Sequence, residues 1–172
     1  MKYALLLCLM AFPATFAGNW TVDSANAKIN FSVKGPFGTV HGSFSGLKAT
    51  IDFDEKAPSG GSIKASVPVK TVKTGIGKRD RDLCNESTWF DADKFPDITY
   101  VSKKIEKTES GFSATGELTM KGVTKPETIP FTFAGNVFKG QFVVNREDFG
   151  LGKSGGSVSK EVTITLEVPV KK

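Results

Sequence analysis

The stretch Val162-Thr-Ile-Thr-Leu-Glu-Val-Pro-Val170 near the C-terminus shows the pattern that decides the fold. Apolar side chains occupy every second position, and the residues between them are polar or proline. Because successive side chains of a strand point to opposite faces, this alternation predicts a strand with one buried face and one face in water. One-sided strands of this kind are typical of antiparallel sheets.

The same period of two recurs in other segments, separated by turn-forming residues. Its apolar positions are Ile29, Phe31 and Val33; Ile63, Ala65, Val67 and Val69; Phe112, Ala114, Gly116, Leu118 and Met120; and Ile129, Phe131 and Phe133. Gly135-Asn136 predicts a two-residue hairpin, and residues 122–126 predict another turn. Roughly eight strands at this spacing predict an all-β fold, either an antiparallel barrel or a sandwich.

Residues 74–100 form the one long break in the alternation. They contain a charge cluster at residues 78–82 and then three large rings, Trp89, Phe90 and Phe95. We expect a short helical insert near residues 78–95, with a second turn capped by Ser87 or Thr88. Long segments of this kind are often lids or binding loops. The mixed charges predict internal ion pairs, and the rings predict a lid.

The N-terminus has the layout of a secretory signal peptide. Lys2 is followed by an apolar run over residues 3–12 and by small residues ending at Ala17. We expect residues 1–17 to be removed, leaving a single domain over residues 18–172 in the periplasm or outside the cell. The apolar run is too short to span a bilayer, which argues against a stable membrane anchor.

Composition and motifs argue against several classes of function. The net charge is +5, but the basic residues are scattered rather than gathered with aromatic residues on one face, so no nucleic-acid binding is expected. His41 is the single histidine and has no cysteine nearby, which argues against a zinc site. No nucleophile–base pair or phosphate-binding loop is recognisable. The sequence therefore predicts no catalytic residue, no metal and no enzyme.

The interior of an eight-stranded barrel is either filled by side chains or holds one slim ligand. The chain has fourteen phenylalanines, twelve of them beyond residue 17, and flat rings suit both arrangements. The residues alone favour a packed core. Without the signal peptide, Cys84 is the only cysteine, which predicts a half-buried free thiol and leaves a disulfide-linked homodimer as an alternative.

The order of short motifs along the chain carries a resemblance to a known family. The motifs are Trp20-Thr-Val-Asp23, Ile29-Asn-Phe31-Ser-Val33, Val40-His-Gly42-Ser-Phe44, Thr74-Gly75, Arg79-Asp80, Leu83, Trp89-Phe90-Asp91, Phe95-Pro96, residues 116–126 and Arg146-Glu-Asp148-Phe149-Gly150. In this order the chain resembles the YceI-like family of exported polyisoprenoid-binding proteins. The resemblance covers essentially all of residues 18–172.

The resemblance implies an eight-stranded antiparallel lipocalin-like barrel whose apolar tunnel holds an isoprenoid lipid, such as a polyprenyl chain or a polyprenyl quinone. No other cofactor is expected. The side chains expected to contact the lipid are Phe31, Val33, Phe44, Trp89, Phe90, Leu118, Met120, Phe131, Phe133, Phe142 and Val144. Two alternatives are an enzyme acting on the bound lipid and a packed β-domain that acts only through its surface, for example as a stress-related partner.

Overall fold

The computed structural model describes residues 19–172, and the predicted signal peptide at residues 1–17 lies outside them. Ten strand segments and one short helix make up its regular structure. They are β1 (Asn19–Val22), β2 (Lys28–Gly35), β3 (Gly38–Phe44), β4 (Lys48–Asp52), β5 (Ser62–Pro68), α1 (Gly77–Asn85), β6 (Asp97–Thr108), β7 (Gly111–Met120), β8 (Val123–Ala134), β9 (Val137–Asn145) and β10 (Glu161–Lys171). Single-turn 3-10 helices cover Pro58–Gly60, Val69–Thr71 and Arg146–Phe149.

The strand segments form a closed barrel of eight antiparallel strands. β1 and β2 are two parts of one interrupted strand, since both pair with β10 on one side. On the other side β1 pairs with β4 and β2 pairs with β3. β3 and β4 form a second interrupted strand. β10 pairs with β9 along one edge and with β2 and β1 along the other, which closes the sheet. The predicted eight-stranded antiparallel barrel is confirmed.

The predicted alternation of β7 coincides with its burial. Phe112, Ala114, Gly116, Leu118 and Met120 are all buried, while the residues between them are half-buried or exposed. Paired strands present their side chains to the same face, so their apolar partners Tyr100 and Ile105 on β6 and Ile129 and Phe131 on β8 also point inward. The apolar face of the alternating pattern is therefore the inside of the barrel.

One end of the barrel is closed by a cluster of aromatic rings, here called the floor. Phe53, only 1% exposed, lies at its centre. The centroid of its ring is 5.0–5.5 Å from those of Phe112, Phe131, Phe133 and Phe138, all in edge-on contact. The indole nitrogen of Trp20 donates to the carbonyl of Phe53 at 2.9 Å, which ties β1 to the residue after β4.

The other end of the barrel, here called the mouth, carries most of the non-strand structure. The β2–β3 hairpin, the insert between β5 and β6, the β7–β8 turn and the long β9–β10 connection all lie there. Within the insert, α1 matches the first part of the predicted helical segment. The predicted second helical turn is instead irregular, with the backbone amides of Phe90 and Ala92 bonded to the carbonyls of Leu83 and Cys84.

The turn predicted over residues 122–126 is wrong in its extent. The structure confines it to Lys121 and Gly122, both with positive φ, and Val123 already belongs to β8. β8 contains Pro126 and Pro130, which cannot donate to a ladder. Its pairing with β9 ends at Phe131, so this part of β8 has a free edge that tolerates both prolines.

The helices of residues 19–172 can be compared with a membrane-spanning helix in length and apolar character. None of these helices has the length and apolar character needed to cross a bilayer.

Replacing Phe53 with alanine tests the role of the floor. The substitution removes a fully buried ring from four aromatic contacts, so we expect the free energy of unfolding to fall by about 3–5 kcal/mol. Urea denaturation followed by tryptophan fluorescence measures this change. The control is Val143→Ala, because Val143 is 53% exposed on the outer wall, and it should change stability by no more than about 0.5 kcal/mol. If the two substitutions lowered the free energy of unfolding equally, the proposed contribution of Phe53 to stability would be contradicted.

Candidate functional site

The barrel encloses a cavity of about 530 Å³ between the floor and the mouth. This volume lies within the range of roughly 300–1,000 Å³ that is usual for small-molecule sites. Inward-facing side chains of most strands border it, and nearly all of them are apolar. Within residues 19–172, the charged side chains that border it are Lys78, Arg79, Asp82 and Arg146, all at the mouth. The cavity is thus apolar in depth and polar at its entrance.

Ten of the eleven residues predicted to contact a lipid border this cavity. They are Phe31, Val33, Phe44, Trp89, Phe90, Leu118, Met120, Phe131, Phe142 and Val144. Phe133 faces inward as well but belongs to the floor. The centroid of its ring lies 5.1 Å from that of Trp20 and 4.5 Å from that of Phe138. Contact of these side chains with a ligand stays a prediction.

The rings of the insert occupy different places at the mouth. Phe90 is buried and packs edge-on against Phe44, with 5.9 Å between ring centroids. Trp89 also borders the cavity. Phe95 packs instead beside the β7–β8 turn, where a Cβ on Gly122 would meet its ring. Two of the three predicted lid rings therefore reach the cavity, and the third supports the insert from outside.

The charges of α1 are held by short-range contacts. The carboxylate of Asp80 accepts from both the backbone amide and the hydroxyl of Thr74, at 2.8 and 2.5 Å, and these bonds hold its pKa below the usual range. Arg79 also bonds Thr74, donating to its hydroxyl at 2.8 Å and its carbonyl at 2.9 Å. Lys78 pairs with Asp82 at 2.7 Å. The helix is thereby fixed at the rim of the cavity.

Arg146 is the one buried charged residue in the described chain, with 4% of its surface exposed. Its guanidinium donates to the carbonyls of Leu151, Val158 and Ser159 at 2.5, 2.7 and 2.9 Å. A longer contact of 3.3 Å joins it to the carboxylate of Glu147. The ring of Trp89 lies beneath it, with 5.9 Å from the guanidinium carbon to the ring centroid. One side chain thus organises the β9–β10 connection and joins it to the insert.

A sequence model of the YceI-like domain matches residues 20–170. The chain belongs to the YceI-like family. A relative from Salmonella newport, named YceI, is 26% identical over 181 residues, which covers 98% of this chain and 94% of that protein. The family predicted from the order of the motifs is therefore confirmed.

Two solved structures show how this YceI-like barrel compares with others. BcnA from Burkholderia cenocepacia superposes with a TM-score of 0.81 at 28% identity, covering 88% of this chain and 100% of that one. A polyisoprenoid-binding domain from Saccharophagus degradans, implicated in plant cell wall breakdown, gives a TM-score of 0.63 at 14% identity, covering 88% and 97%. At that identity the second likeness concerns the fold alone.

Cys84 and His41 are not among the residues that border the cavity of this YceI-like barrel. Cys84 is half-buried and its thiol lies 3.7 Å from the carbonyl of Val69, while burial raises the pKa of the thiol. His41 is exposed on β3. Among residues 19–172, no group of three or more histidine, cysteine, aspartate or glutamate side chains is arranged to hold a metal ion.

Tyr100 borders the cavity and was missed by the sequence reasoning. Its ring is 6% exposed and lies over Gly116, where a Cβ would collide with it. Its hydroxyl donates to the carbonyl of Ala114 at 2.7 Å. Burial raises the pKa of Tyr100 to about 12, and the nearby carboxylate of Glu127 acts in the same direction. The available signal was its position two residues after Ile98, on the inward side of β6.

Titration of Tyr100 tests this environment directly. The only other tyrosine is Tyr3, which belongs to the predicted signal peptide, so protein produced from residue 18 onward contains Tyr100 alone. Absorbance at the phenolate band should report a pKa near 12 in the folded protein and near 10 after denaturation. A folded-state value near 10 would contradict the buried, hydrogen-bonded phenol.

The same pKa shift predicts a loss of stability at high pH. Because the folded-state pKa is raised, the contribution of Tyr100 is complete below pH 10 and disappears as the pH rises toward 12. The loss is at most about 3 kcal/mol. The free energies of unfolding of the native chain and of Tyr100→Phe should differ by a constant amount below pH 10. The difference should shrink as the pH rises from 10 to 12. Comparing the two proteins separates the effect of Tyr100 from that of lysines, which titrate in the same pH range.

Substitution of Arg146 by lysine tests its organising role. Lysine keeps the charge but not the planar fork of donors, so several carbonyls of the β9–β10 connection lose their partner. We expect stability to fall by about 3 kcal/mol and amide exchange over residues 151–159 to accelerate. Arg81→Lys is the matched control, because Arg81 is exposed on α1. Unchanged exchange in Arg146→Lys would contradict this role.

Proposed function

We propose that this YceI-like protein is an exported carrier that holds one long apolar isoprenoid-type chain, such as a polyprenyl chain or polyprenyl quinone, without chemical change. The observation that carries the proposal is the cavity of about 530 Å³, lined by apolar side chains and closed at one end. A filled barrel core would leave no such space. The residues alone favoured a packed core, and the cavity is the reason to prefer a carrier.

The driving force is the removal of hydrocarbon from water. Each buried methylene contributes about 0.8 kcal/mol before the cost of ordering the chain is subtracted. The wall has few polar groups that could demand a partner in the ligand, which suits a chain without internal polar groups. Tyr100 borders the cavity, and its hydroxyl already donates to the carbonyl of Ala114.

The fold likeness supports the same class of ligand. The Saccharophagus degradans domain with this fold is a polyisoprenoid-binding domain. The N-terminal signal peptide predicted for residues 1–17 supports export to the periplasm or beyond. Both observations are consistent with a lipid held inside the barrel.

An enzyme acting on the bound lipid is the second candidate, but the site favours it less. A catalytic group would have to present a free acid, base or nucleophile to the cavity. The charged groups that border it are engaged elsewhere: Arg79 with Thr74, Lys78 with Asp82 and Arg146 with backbone carbonyls. Incubation of the protein with its extracted lipid, followed by mass analysis, should return the lipid unchanged.

The mass of co-purifying lipid tests the proposal. Protein purified after export is analysed by native mass spectrometry before and after mild organic extraction. We expect an added mass of one apolar lipid that is lost on extraction and restored by a polyprenyl quinone. A protein that carries nothing and takes up no prenyl chain would favour the third candidate, a β-domain that acts only through its surface.

A matched pair of variants ties retention to the cavity. Ala65 borders the cavity on the inner face of β5, and Lys64 is exposed on the outer face beside it. Ala65→Phe should fill part of the space and reduce the lipid-bound fraction at least about ten-fold, since several methylenes lose their contacts. Lys64→Phe adds the same ring outside and should retain lipid. Equal retention by both would place the lipid elsewhere.

A further inference from the structure

The tip of the β2–β3 hairpin exposes a large apolar side chain at the mouth. Gly35 pairs with Gly38, so Pro36 and Phe37 form the tip. Phe37 is fully exposed, so its ring packs against no other part of the described chain. Complete burial of a phenylalanine side chain is strongly favourable, so a fully exposed ring at a projecting tip is suited to entering an apolar phase.

A second exposed apolar residue links this tip with the cavity. The antiparallel bridge between Ser43 and Lys73 holds the segment that leads to Ile76 against β3. Ile76 is 54% exposed, and both Ile76 and Val40 border the cavity. Val40 pairs with Val33, which also borders the cavity, two pairs below Gly35 and Gly38. Apolar side chains therefore extend from the cavity toward the tip.

The segments around this path carry exposed lysines. Lys34 precedes the tip, and Lys73 lies on the strand-like segment bridged to β3. Lys153 and Lys160 lie on the β9–β10 connection, which is seated against β2 by a bond from the amide of Ser159 to the carbonyl of Lys34 at 2.8 Å. Within residues 19–172 none of these four forms an ion pair at 4 Å or less.

The acidic groups on the same segments are mostly engaged. Asp80 accepts from Thr74, and Glu147 accepts from Ser154 at 2.7 Å and pairs with Arg146. Asp148 and Glu161 are exposed acids of the same segments. These acids keep their charge, but residues 34–40, 73–85 and 146–161 together carry eight Lys and Arg side chains against five Asp and Glu. The net charge of +3 around Phe37 and Ile76 is complementary to anionic lipid head groups.

We propose that the mouth docks on an anionic lipid bilayer, with Phe37 entering the interfacial region and Ile76 facing the membrane beside the cavity entrance. The lysines at positions 34, 73, 153 and 160 attract the surface, and the ring at the tip adds apolar burial. This docking is peripheral and needs no membrane-spanning segment. It goes beyond the carrier function, because it states where and in which orientation cargo would be exchanged.

Vesicle flotation tests the proposal with protein purified after export, its N-terminal residue verified by mass because an uncleaved signal peptide would itself bind lipid. The probes are phosphatidylcholine vesicles with and without phosphatidylglycerol. The native protein should float with the anionic vesicles, and added salt should weaken the binding. Absence of binding, or equal binding to the neutral vesicles, would overturn the proposal.

Two apolar substitutions separate the tip from general surface hydrophobicity. Phe37→Ser should lower the partition coefficient for anionic vesicles at least about ten-fold. Val143→Ser removes another exposed apolar side chain, on the outer wall of β9, and should bind as the native protein does. If Phe37→Ser binds like the native protein, the proposal fails. Lys34→Gln combined with Lys160→Gln should weaken binding to anionic vesicles and reduce its dependence on salt.

The outcome is independent of the carrier function. Phe37 does not border the cavity, so Phe37→Ser should keep the same co-purifying lipid in native mass spectrometry while losing vesicle binding. Vesicle binding by a protein that holds no lipid would instead refute the carrier function and leave the docking surface standing.

Discussion

Closure of the sheet through β10 is the constraint on which the rest of the structure depends. This strand bonds to β9 along one edge and to both parts of the interrupted first strand along the other. Without closure the sheet would expose two edges, and its apolar face would have no interior to enclose. The floor and the mouth are both arrangements at the ends of this closed wall, and the cavity exists because the wall surrounds more space than its side chains fill.

The fold was largely predictable because period-two alternation is a local property of the sequence. In residues 162–170 and in β7 the apolar positions of the predicted alternation coincide with the inner face that the structure shows. Pro126 misled the prediction of the β7–β8 turn, since proline usually marks a turn, and Pro130 also lies within β8. Their place within β8 depends on the end of pairing between β8 and β9, a long-range property that no local pattern reveals.

The side chains that border the site could be predicted from the sequence, but the cavity between them could not. Alternation identified the inward phenylalanines, yet it could not distinguish Phe131, which borders the cavity, from Phe133, which packs into the floor. That difference depends on height along the barrel axis. Arg146 was missed as an interior residue because its burial depends on carbonyls of the β9–β10 connection, such as that of Val158. Tyr100 was missed although its alternation with Ile98 was visible in the sequence.

The floor built around Phe53 makes the two ends of the barrel unequal. An amphiphile that fills a cavity with one apolar blind end can lie in only one direction, with its terminal methyl groups innermost and its head at the rim. Its hydrocarbon is then shielded from water and oxidants while its head stays accessible to other reagents. The head of such a molecule would therefore be within reach of a separate protein while its hydrocarbon stays in the barrel.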